Sequence, residues 1–409
     1  MHDLSHDLIV HLQPVAVIVA WVVAVGWLWM VLTAANGLPR IPNLLMKQFN
    51  VEPERLPRIT VVVPARNESV HVAACIQTLL HQDYAALRII AVNDRSIDDT
   101  GSILDALALT APEKLKVMHI TELPPQWLGK THAMAVAAQA TIEADAPDFL
   151  LFTDADVMYR EDAIRRSLVY AVESGADHLV TVPTTIILRW DEAMLLGFFQ
   201  IFGLWGARPW KVADPKARRD AIGIGAFNLV RRTAYEQIGG FAAQRMDILE
   251  DLTLARRIKR AGLAQRIAFG RGLVNVHWAS GAAGLVEVMT KNIFSAFRFH
   301  VSLLLLACGW LAVFCASPMM TLVYQPTRLP GAVTLAAVVC AYLLFQKTSG
   351  IKAWYGLLSP IAALLFIFTL LRSMVTTLRQ GGVIWRGTFY PLAELRKDAA
   401  PLFGRDGIL

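Results

Sequence analysis

The chain has 409 residues, of which 55% are hydrophobic and 18% are charged, and its formal net charge is +6. A mean hydropathy of +0.45 is too high for an ordinary soluble enzyme, whereas the charged fraction is too large for a protein that lies entirely in a membrane. The composition therefore predicts apolar segments attached to a soluble domain.

The first apolar segment lies at residues 14–35 and contains no charged residue. It is long enough to cross a bilayer core of about 30 Å as a helix. A cleaved signal peptide is the alternative, but no Lys or Arg precedes the segment and no obvious small-residue cleavage pattern follows it. We therefore predict an uncleaved anchor. Because Arg40 and Lys47 follow it, the positive-inside rule predicts that the next domain is cytoplasmic.

The middle of the chain alternates buried strands with helices. Strands are predicted at 59–63, 87–92, 115–120 and 149–153, and helices at 69–80, 100–109 and 131–144. Continuous apolar strands between helices indicate an α/β fold with a Rossmann-like, mostly parallel sheet and helices on both faces. Ligands bind such sheets at the carboxyl ends of the strands, where the polar clusters of this chain lie.

Two carboxylates, Asp154 and Asp156, follow the fourth predicted strand. Residues i and i+2 of an extended backbone point to the same side, so both can face one divalent cation or one nucleotide. Carboxylate oxygens suit Mg²⁺ or Mn²⁺, which would neutralise a departing diphosphate. The alternative is that two aspartates share a surface turn by chance.

Two further motifs follow strands or precede helices. Asp94, at the end of the second strand, can accept hydrogen bonds from a base or a ribose, while Asp98 or Asp99 can cap the next helix. Lys130 lies in an LGKT sequence that lacks the upstream glycine of a P-loop, because Pro125 occupies that position. Lys130 remains a candidate phosphate contact at a helix N-terminus.

An acidic pair, Glu250 and Asp251, opens a predicted helix downstream of the glycine-rich segment 223–227. Acidic residues in the first turn of a helix usually complement the helix dipole, so a functional role depends on the other motifs. Between these motifs, residues 192–210 are rich in Phe, Leu and Trp. They predict either an interfacial helix that guides a lipid tail or a helix packed on the sheet.

Charge and cysteine content exclude two classes of site. The basic clusters at 208–219 and 256–260 lack interleaved aromatic residues and the fold signatures of a nucleic-acid binder. Attraction to an anionic membrane surface is the simpler interpretation. The four cysteines form no CxxC pair and no cluster with histidine, which argues against a zinc site or a disulfide framework.

Three more apolar stretches lie at 301–323, 331–346 and 353–371, of which the second is marginal in length. Three crossings after a cytoplasmic domain would place the C-terminus outside. Basic residues in the tail argue instead that it stays inside: Arg372, Arg379, Arg386, Arg396 and Lys397. One late segment is therefore expected not to cross, either 331–346 or a re-entrant pass near Pro360.

Taken in order, five motifs resemble the family 2 glycosyltransferases of the GT-A fold: VVVPARNE (61–68), VNDRSIDDT (92–100), GKTHA (129–133), TDAD (153–156) and LED (249–251). Further similarity lies in the segments WLGKTHA and GVIWRGTFYPL and in the flanking membrane segments. These features resemble those of the bacterial hopanoid-biosynthesis-associated glycosyltransferases, with carotenoid and ceramide glycosyltransferases as more distant relatives. The Gln-x-x-Arg-Trp element of processive members is missing, so synthesis of a long polymer is not expected.

The resemblance implies a role for each matched residue. Asp251 would be the catalytic base and Asp156 would bind the metal, and His277 is either a further metal ligand or a structural histidine. The remaining matched residues would hold the nucleotide sugar: Pro64, Ala65, Arg66, Glu68, Asp94, Lys130 and Asp154.

These roles predict an inverting, metal-dependent enzyme that moves a sugar from a nucleotide-sugar donor, a UDP-sugar, to a membrane lipid of hopanoid type. The alternatives are transfer to polyprenyl phosphate and a non-catalytic scaffold in a lipid-biosynthesis complex. We expect a multi-pass protein of the bacterial inner membrane that binds a nucleotide sugar and a lipid acceptor but no nucleic acid. The predicted organisation is an anchor (1–40), a cytoplasmic catalytic domain (55–280), an interfacial helix (281–300), membrane segments (301–375) and a basic tail (376–409).

Overall fold

The computed structural model describes residues 2–53, 56–141 and 146–397, and of residues 2–12 it describes the backbone alone. The helices are α1 (His2–Gly37), α2 (Val72–Leu80), α3 (Thr100–Thr110), α4 (Gly129–Ala140), α5 (Ala163–Glu173), α6 (Trp190–Gly206), α7 (Arg232–Gln237), α8 (Glu250–Arg260), α9 (Gly281–Ala296), α10 (Val301–Leu311), α11 (Pro318–Val323), α12 (Arg328–Ser349), α13 (Ser359–Gln380) and α14 (Leu392–Lys397). The strands are β1 (Ile59–Ala65), β2 (Leu87–Asp94), β3 (Leu115–Ile120), β4 (Phe149–Phe152), β5 (Met158–Tyr159), β6 (His178–Val182), β7 (Thr184–Thr185), β8 (Asn228–Arg231), β9 (Gln265–Phe269), β10 (Val274–Val276), β11 (Gly382–Trp385) and β12 (Thr388–Pro391).

The chain divides into two compact units. The helical unit consists of the first 40 residues, Ile187–Arg208 and Ala279–Thr377. The sheet unit consists of Ile41–Ile186, Pro209–Trp278 and the residues from Leu378 onward. The segment that contains α6 therefore leaves the sheet unit, and the hairpin formed by β11 and β12 joins it. The part of the predicted tail beyond residue 397 lies outside the described residues.

The main sheet has seven strands in the order β3-β2-β1-β4-β8-β6-β9. Only β8 runs antiparallel to its neighbours among these strands. Along β1, Val61 and Val63 belong to one buried cluster and Val62 belongs to another. Side chains of a strand alternate between the two faces, so both faces of the sheet are buried. Helices α2, α3 and α5 cover one face, and α4, α7 and α8 cover the other, which confirms the predicted fold class.

β1 extends two residues further than predicted and includes Pro64 and Ala65. A proline lacks the N–H that a sheet ladder needs. The backbone carbonyl of Val62 faces β4 and accepts a hydrogen bond from the N–H of Thr153, which directly follows β4. The backbone nitrogen of Pro64, two residues later, faces the same side. Because β4 has ended at that level, Pro64 costs no ladder hydrogen bond.

Two predicted helices have different limits in the structure. α2 begins at Val72 rather than at Ser69, because residues 69–71 form a turn in which the His71 N–H bonds to the Glu68 carbonyl. α4 begins at Gly129 and ends at Ala140. Part of the predicted end of α4, at residues 142–145, lies outside the described residues.

Among the described residues, four helical segments are long and apolar enough to cross a membrane, judged by length and composition: Gln13–Arg40, Val301–Val323, Gln325–Ser349 and Ala353–Gln380. The first three lie in the helical unit, and the fourth extends three residues beyond it. The stretch at 331–346 lies within α12, whose 22 residues exceed the length that a bilayer core needs. It is therefore not too short to cross. α6 belongs to this unit, and the ring of its Trp205 lies 5.5 Å from that of Trp27 and 5.1 Å from that of Trp310.

Candidate active site

Seven predicted site residues lie at the carboxyl ends of β1, β2 and β4 or on the loops that follow them: Pro64, Ala65, Arg66, Glu68, Asp94, Asp154 and Asp156. β1 is parallel to β2 and to β4. Since the carboxyl ends of parallel strands meet at one edge of a sheet, the loops that begin at Arg66, Arg95 and Thr153 leave the sheet side by side. Lys130 lies in the first turn of α4 and Asp251 lies in the first turn of α8. Both line a common cavity beside the loop that follows β4.

Lys130 forms ion pairs with two carboxylates. Its Nζ lies 2.5 Å from Asp154 Oδ1 and 2.6 Å from Glu250 Oε1. Burial opposes a charge on Lys130, but the two carboxylates outweigh burial and raise its pKa above the ordinary value. Burial raises the pKa of Glu250 to about 7, with Asp251 adding to the rise and Lys130 opposing it. Lys130 therefore stays protonated and holds the β4 loop against the start of α8.

Asp251 is held by backbone amides at the start of α8. Its Oδ1 accepts a hydrogen bond of 2.7 Å from the N–H of Leu252, and its carboxylate also accepts one from the N–H of Gly225. Burial raises the pKa of Asp251, while the charge of Lys130 opposes the rise. A carboxylate with a fixed orientation and a raised pKa is suited to accept a proton near neutral pH.

The glycine-rich segment at 223–227 approaches these carboxylates closely. A Cβ atom at Gly223 would lie 1.9 Å from the carbonyl oxygen of Asp251, and one at Gly225 would lie 2.7 Å from Asp154 Oδ2. Real Cβ atoms do not come so near to backbone atoms, so position 223 requires glycine, whereas a Cβ at position 225 would displace the Asp154 carboxylate. The glycines therefore let the backbone pack directly on the base candidate and on the first aspartate of the TDAD motif.

Asp156 lies where negative charge is concentrated. Burial raises its pKa to about 6, and the carboxylates of Asp154 and Glu68 add to the rise. In the described parts of the chain, no group of three or more His, Cys, Asp or Glu side chains is placed to hold a metal ion. The local donor set consists of hard carboxylate oxygens with excess negative charge, which fits Mg²⁺ or Mn²⁺ better than a soft metal.

His277 directly follows β10, which pairs antiparallel with β5. In this register Val274 is opposite Tyr159 and Asn275 is opposite Met158. Asp156 lies in the turn that precedes β5, so both residues lie next to this strand pair.

The loops after β1 and β2 are tied to each other by Asp98. Its carboxylate accepts hydrogen bonds from Thr100, at the start of α3, and from the N–H of Ser69. Burial opposes ionisation of Asp98, but these hydrogen bonds lower its pKa to about 2. Asp98 therefore fixes the start of α3 from the position before the N-cap residue, Asp99, whose own side chain forms no capping hydrogen bond, and it also fixes the neighbouring loop.

Asp94 is buried and forms a two-point ion pair with Arg95, with N–O distances of 2.7 and 3.0 Å. Two polar atoms near this pair, Arg66 Nε and His132 Nδ1, are buried without a hydrogen-bond partner among the described residues. Buried polar atoms in proteins normally have partners, so a ligand or a water molecule would pair with these two atoms.

The fold and this arrangement define a GT-A glycosyltransferase. Residues 57–275 match the family described as Glycosyltransferase like family 2. The chain belongs to this family, and the resemblance seen in the five sequence motifs is confirmed at that level.

Two curated bacterial proteins are similar to the chain. A 4,4'-diaponeurosporenoate glycosyltransferase from Staphylococcus haemolyticus is 23% identical over 275 residues, which cover 64% of this chain and 70% of that protein. The glycosyltransferase GlyG from Streptococcus pneumoniae is 26% identical over 261 residues, which cover 58% of this chain and 79% of that protein.

One solved structure has the same fold. It is the mannosyltransferase PcManGT from Pyrobaculum calidifontis in complex with GDP-Man and Mn²⁺, with a TM-score of 0.50 and 18% sequence identity. The match covers 88% of this chain and 99% of that one.

The structure adds Glu250, Arg95 and His132 to the predicted site. Glu250 was recognisable only as the neighbour of Asp251, because an acidic residue at a helix start is common. Arg95 directly follows Asp94 and has φ +55°, an unusual backbone conformation that a sequence does not reveal. His132 lies within the GKTHA motif, and membership of that motif was the only sequence feature that could have indicated a place in the site.

We predict that Gly223→Ala lowers turnover by at least about tenfold, because the new Cβ would displace the Asp251 backbone and small displacements of a catalytic group are costly. The control is Gly203→Ala on α6, where a Cβ would have no neighbour within 4 Å. Sugar transfer to membrane lipid is measured for both variants. Equal turnover in the two variants would contradict the close packing on Asp251.

Proposed function

We propose that this glycosyltransferase is an inverting enzyme that moves a sugar from a UDP-sugar to the hydroxyl group of a membrane lipid of hopanoid type. The meeting of Lys130, Asp154 and Asp251 at one edge of the sheet supports the proposal most strongly. A fixed cation and two separate carboxylates there provide the charges that a departing diphosphate and an attacking hydroxyl require.

The proposed reaction is a single displacement with Asp251 as general base. The carboxylate takes the proton of the acceptor hydroxyl while the oxygen forms a bond to the anomeric carbon. The bond from that carbon to the donor diphosphate breaks at the same time, and the nucleoside diphosphate leaves with the bonding electrons. Attack from the face opposite the leaving group inverts the configuration, and the sugar passes through a state like an oxocarbenium ion.

The leaving diphosphate needs positive charge, and two sources are proposed. Lys130 supplies one from the first turn of α4. The second is Mg²⁺ or Mn²⁺, for which Asp156 and His277 are the proposed ligands and which would neutralise the diphosphate when bound. Mg²⁺ often binds through one or two carboxylates plus substrate phosphates, so a small protein donor set is sufficient. The Mn²⁺ in the mannosyltransferase complex supports this assignment.

A lipid acceptor is supported by a relative and by the helical unit. The relative named for 4,4'-diaponeurosporenoate acts on a lipid-like carotenoid. Within the described residues, the four helical segments of sufficient length and apolarity support association with a membrane. The narrower assignment to hopanoids rests on the resemblance of the phrases WLGKTHA and GVIWRGTFYPL.

We place the sheet unit on the cytoplasmic side of the bacterial inner membrane, where nucleotide sugars are made and where Arg40 and Lys47 favour it. The hairpin at 382–391 belongs to the same unit as residues 41–186. A return of the chain to the same side supports the proposal that one of the three apolar segments between residues 301 and 380 does not cross, and the basic residues of the tail support it as well.

The variant Asp251→Asn should lower kcat at least about a hundredfold with little change in donor affinity, because a general base acts in the transition state. The matched control is Asp247→Asn, since Asp247 accepts hydrogen bonds from Leu249 and Thr253 at the start of the same helix. Turnover and melting temperature are measured on both purified variants.

A helix-dipole role for Asp251 predicts instead a stability loss of roughly 0.3 to 1 kcal/mol and nearly normal turnover. That result would make Glu250 the next candidate for the base. Retention of most activity in Asp251→Asn would also favour polyprenyl phosphate as acceptor, because a phosphate is already anionic and needs no base.

Replacing Asp156 with Ala should abolish the metal-dependent part of donor binding and leave the fold intact, because the residue lies on a loop at the end of β4. Calorimetry with UDP, in the presence and absence of Mn²⁺, measures this effect. Asp105→Ala is the control, since Asp105 pairs with His119 on the surface of the sheet unit. Unchanged affinity and metal dependence in Asp156→Ala would refute the metal assignment.

The lipid acceptor is tested by mass spectrometry of membrane lipids from cells with and without the gene. We expect one hopanoid species to lose the mass of a hexose when the gene is absent. Loss of a glycosylated polyprenyl phosphate would instead support the alternative acceptor. A wild-type protein that bound no nucleotide sugar would favour the scaffold role and overturn the proposed activity.

A further inference from the structure

Residues 382–391 form a two-stranded hairpin at the C-terminal end of the sheet unit. Trp385 pairs with Thr388, so the turn consists of two residues, Arg386 and Gly387. Their φ angles are +50° and +76°, which is the geometry of two-residue hairpin turns that match the twist of the strands. Glycine adopts this conformation freely, whereas Arg386 does so at some energetic cost. The tip of the hairpin thus holds an arginine in a fixed position.

One face of the hairpin is packed and the other is open. Val383 and Tyr390 are opposite each other and are 3% and 5% exposed, whereas Ile384 and Phe389 form the next pair and are 52% and 49% exposed. The buried face therefore belongs to the sheet unit and carries Tyr390 inward.

The tip of the hairpin binds the loop that follows β1. The guanidinium of Arg386 pairs with the carboxylate of Glu68 and donates a hydrogen bond of 3.0 Å to the carbonyl of Arg66. Arg66 in turn donates one of 3.2 Å to Thr388 Oγ1. Three hydrogen bonds or ion pairs thus connect the hairpin to two residues that the motif analysis assigned to the nucleotide pocket.

The base of the hairpin contacts two other parts of the same pocket, the β2 loop and the N-terminus of α4. The hydroxyl of Tyr390 accepts a hydrogen bond of 3.2 Å from the N–H of Gly129, the first residue of α4, and it also contacts Arg95. A Cβ atom at Gly129 would lie 2.4 Å from Asp94 Oδ2. Tyr390 therefore lies where the β2 loop and the N-terminus of α4 meet.

The charges in this region favour an anion. Three guanidinium groups, those of Arg66, Arg95 and Arg386, face two carboxylates, those of Asp94 and Glu68. The Nε atom of Arg66 is buried without a hydrogen-bond partner in the described part of the chain. Guanidinium groups bind phosphate oxygens through geometrically matched pairs of hydrogen bonds. One positive charge and one buried donor are thus left for a ligand.

We propose that the hairpin is a wall of the donor site and that Arg386 and Tyr390 are positioning residues for the nucleoside diphosphate of the donor. Arg386 acts through Glu68 and Arg66, and Tyr390 acts through Arg95 and the first turn of α4. This inference rests on the proposed nucleotide-sugar donor. Glu68 also adds to the negative charge around Asp156, so its pairing with Arg386 limits the repulsion in the centre of the site.

The test uses the full-length protein in lipid nanodiscs and two probes, UDP and GDP, each with Mn²⁺. Arg386→Gln should weaken binding of the nucleoside diphosphate that the wild type prefers by about tenfold, and Tyr390→Phe should weaken it by a smaller factor. Arg386→Lys keeps the charge and should restore part of the affinity. Lys397→Gln, an equivalent charge removal at an exposed position of α14, is the matched control.

Two further measurements separate positioning from simple stabilisation. In transfer assays, Arg386→Gln should raise the KM for the donor while kcat at saturating donor changes less than about twofold. Hydrogen exchange of residues 382–391 in the wild type should become slower when the preferred nucleoside diphosphate binds. A lower melting temperature with normal KM and no ligand-dependent protection would overturn the inference, and the hairpin would then be only structural.

The outcomes also distinguish this inference from the proposed function. Normal nucleotide affinity in Arg386→Gln together with lost affinity in Asp156→Ala would refute the role of the hairpin and leave the donor assignment intact. A wild-type protein that binds neither UDP nor GDP would overturn the proposed donor itself, and the inference with it.

Discussion

The double ion pair of Lys130 is the interaction on which the rest of the site depends. Asp154, Glu250 and Asp251 lie close together in a partly buried region, where like charges repel more strongly than in water. Lys130 contacts the first two at 2.5 and 2.6 Å and so compensates the cluster. Without it, the repulsion would favour protonation of these carboxylates, and the link between the β4 loop and the start of α8 would be lost.

The ion pairs form because the first turns of α4 and α8 meet the β4 loop at the sheet edge where the parallel strands β1, β2 and β4 end. Each loop can then carry a few polar residues to a shared place while the strands themselves remain apolar and buried. The glycines at 223 and 225 also help to bring these groups together, because they allow the backbone to approach Asp251 and Asp154 without a side chain between them. The rigid sheet therefore positions the charges, and the loops supply the chemistry.

The central strands and the order of the motifs could be predicted because they are local properties of the sequence. Runs of buried apolar residues such as 59–63 have few other conformations available in a soluble domain. The role of Glu250 could not be predicted in this way, because an acid at a helix start has an ordinary explanation and its contact with Lys130 exists only in the folded chain.

The end of the chain was also poorly predictable. Arg386, Arg396 and Lys397 made the last segment resemble a basic tail, and the strands of the hairpin have only four residues each. The residues that the hairpin contacts in the sheet unit, such as Arg66 and Gly129, precede it by more than 250 positions, so no local sequence pattern reveals these contacts. The predicted helix at 192–210 illustrates a related limit. Its composition indicated a helix, but the unit to which that helix belongs depends on contacts made throughout the fold.

The contact between Arg386 and Arg66 joins residues that are 320 positions apart. During synthesis the loop after β1 leaves the ribosome early, whereas the hairpin leaves only after every apolar helix of the helical unit has been made. A nascent chain thus contains the sheet long before it contains the hairpin. If the hairpin acts as proposed, the order of the chain delays full donor affinity until the last apolar helix has been made, so an incomplete chain would bind its donor more weakly than the finished one.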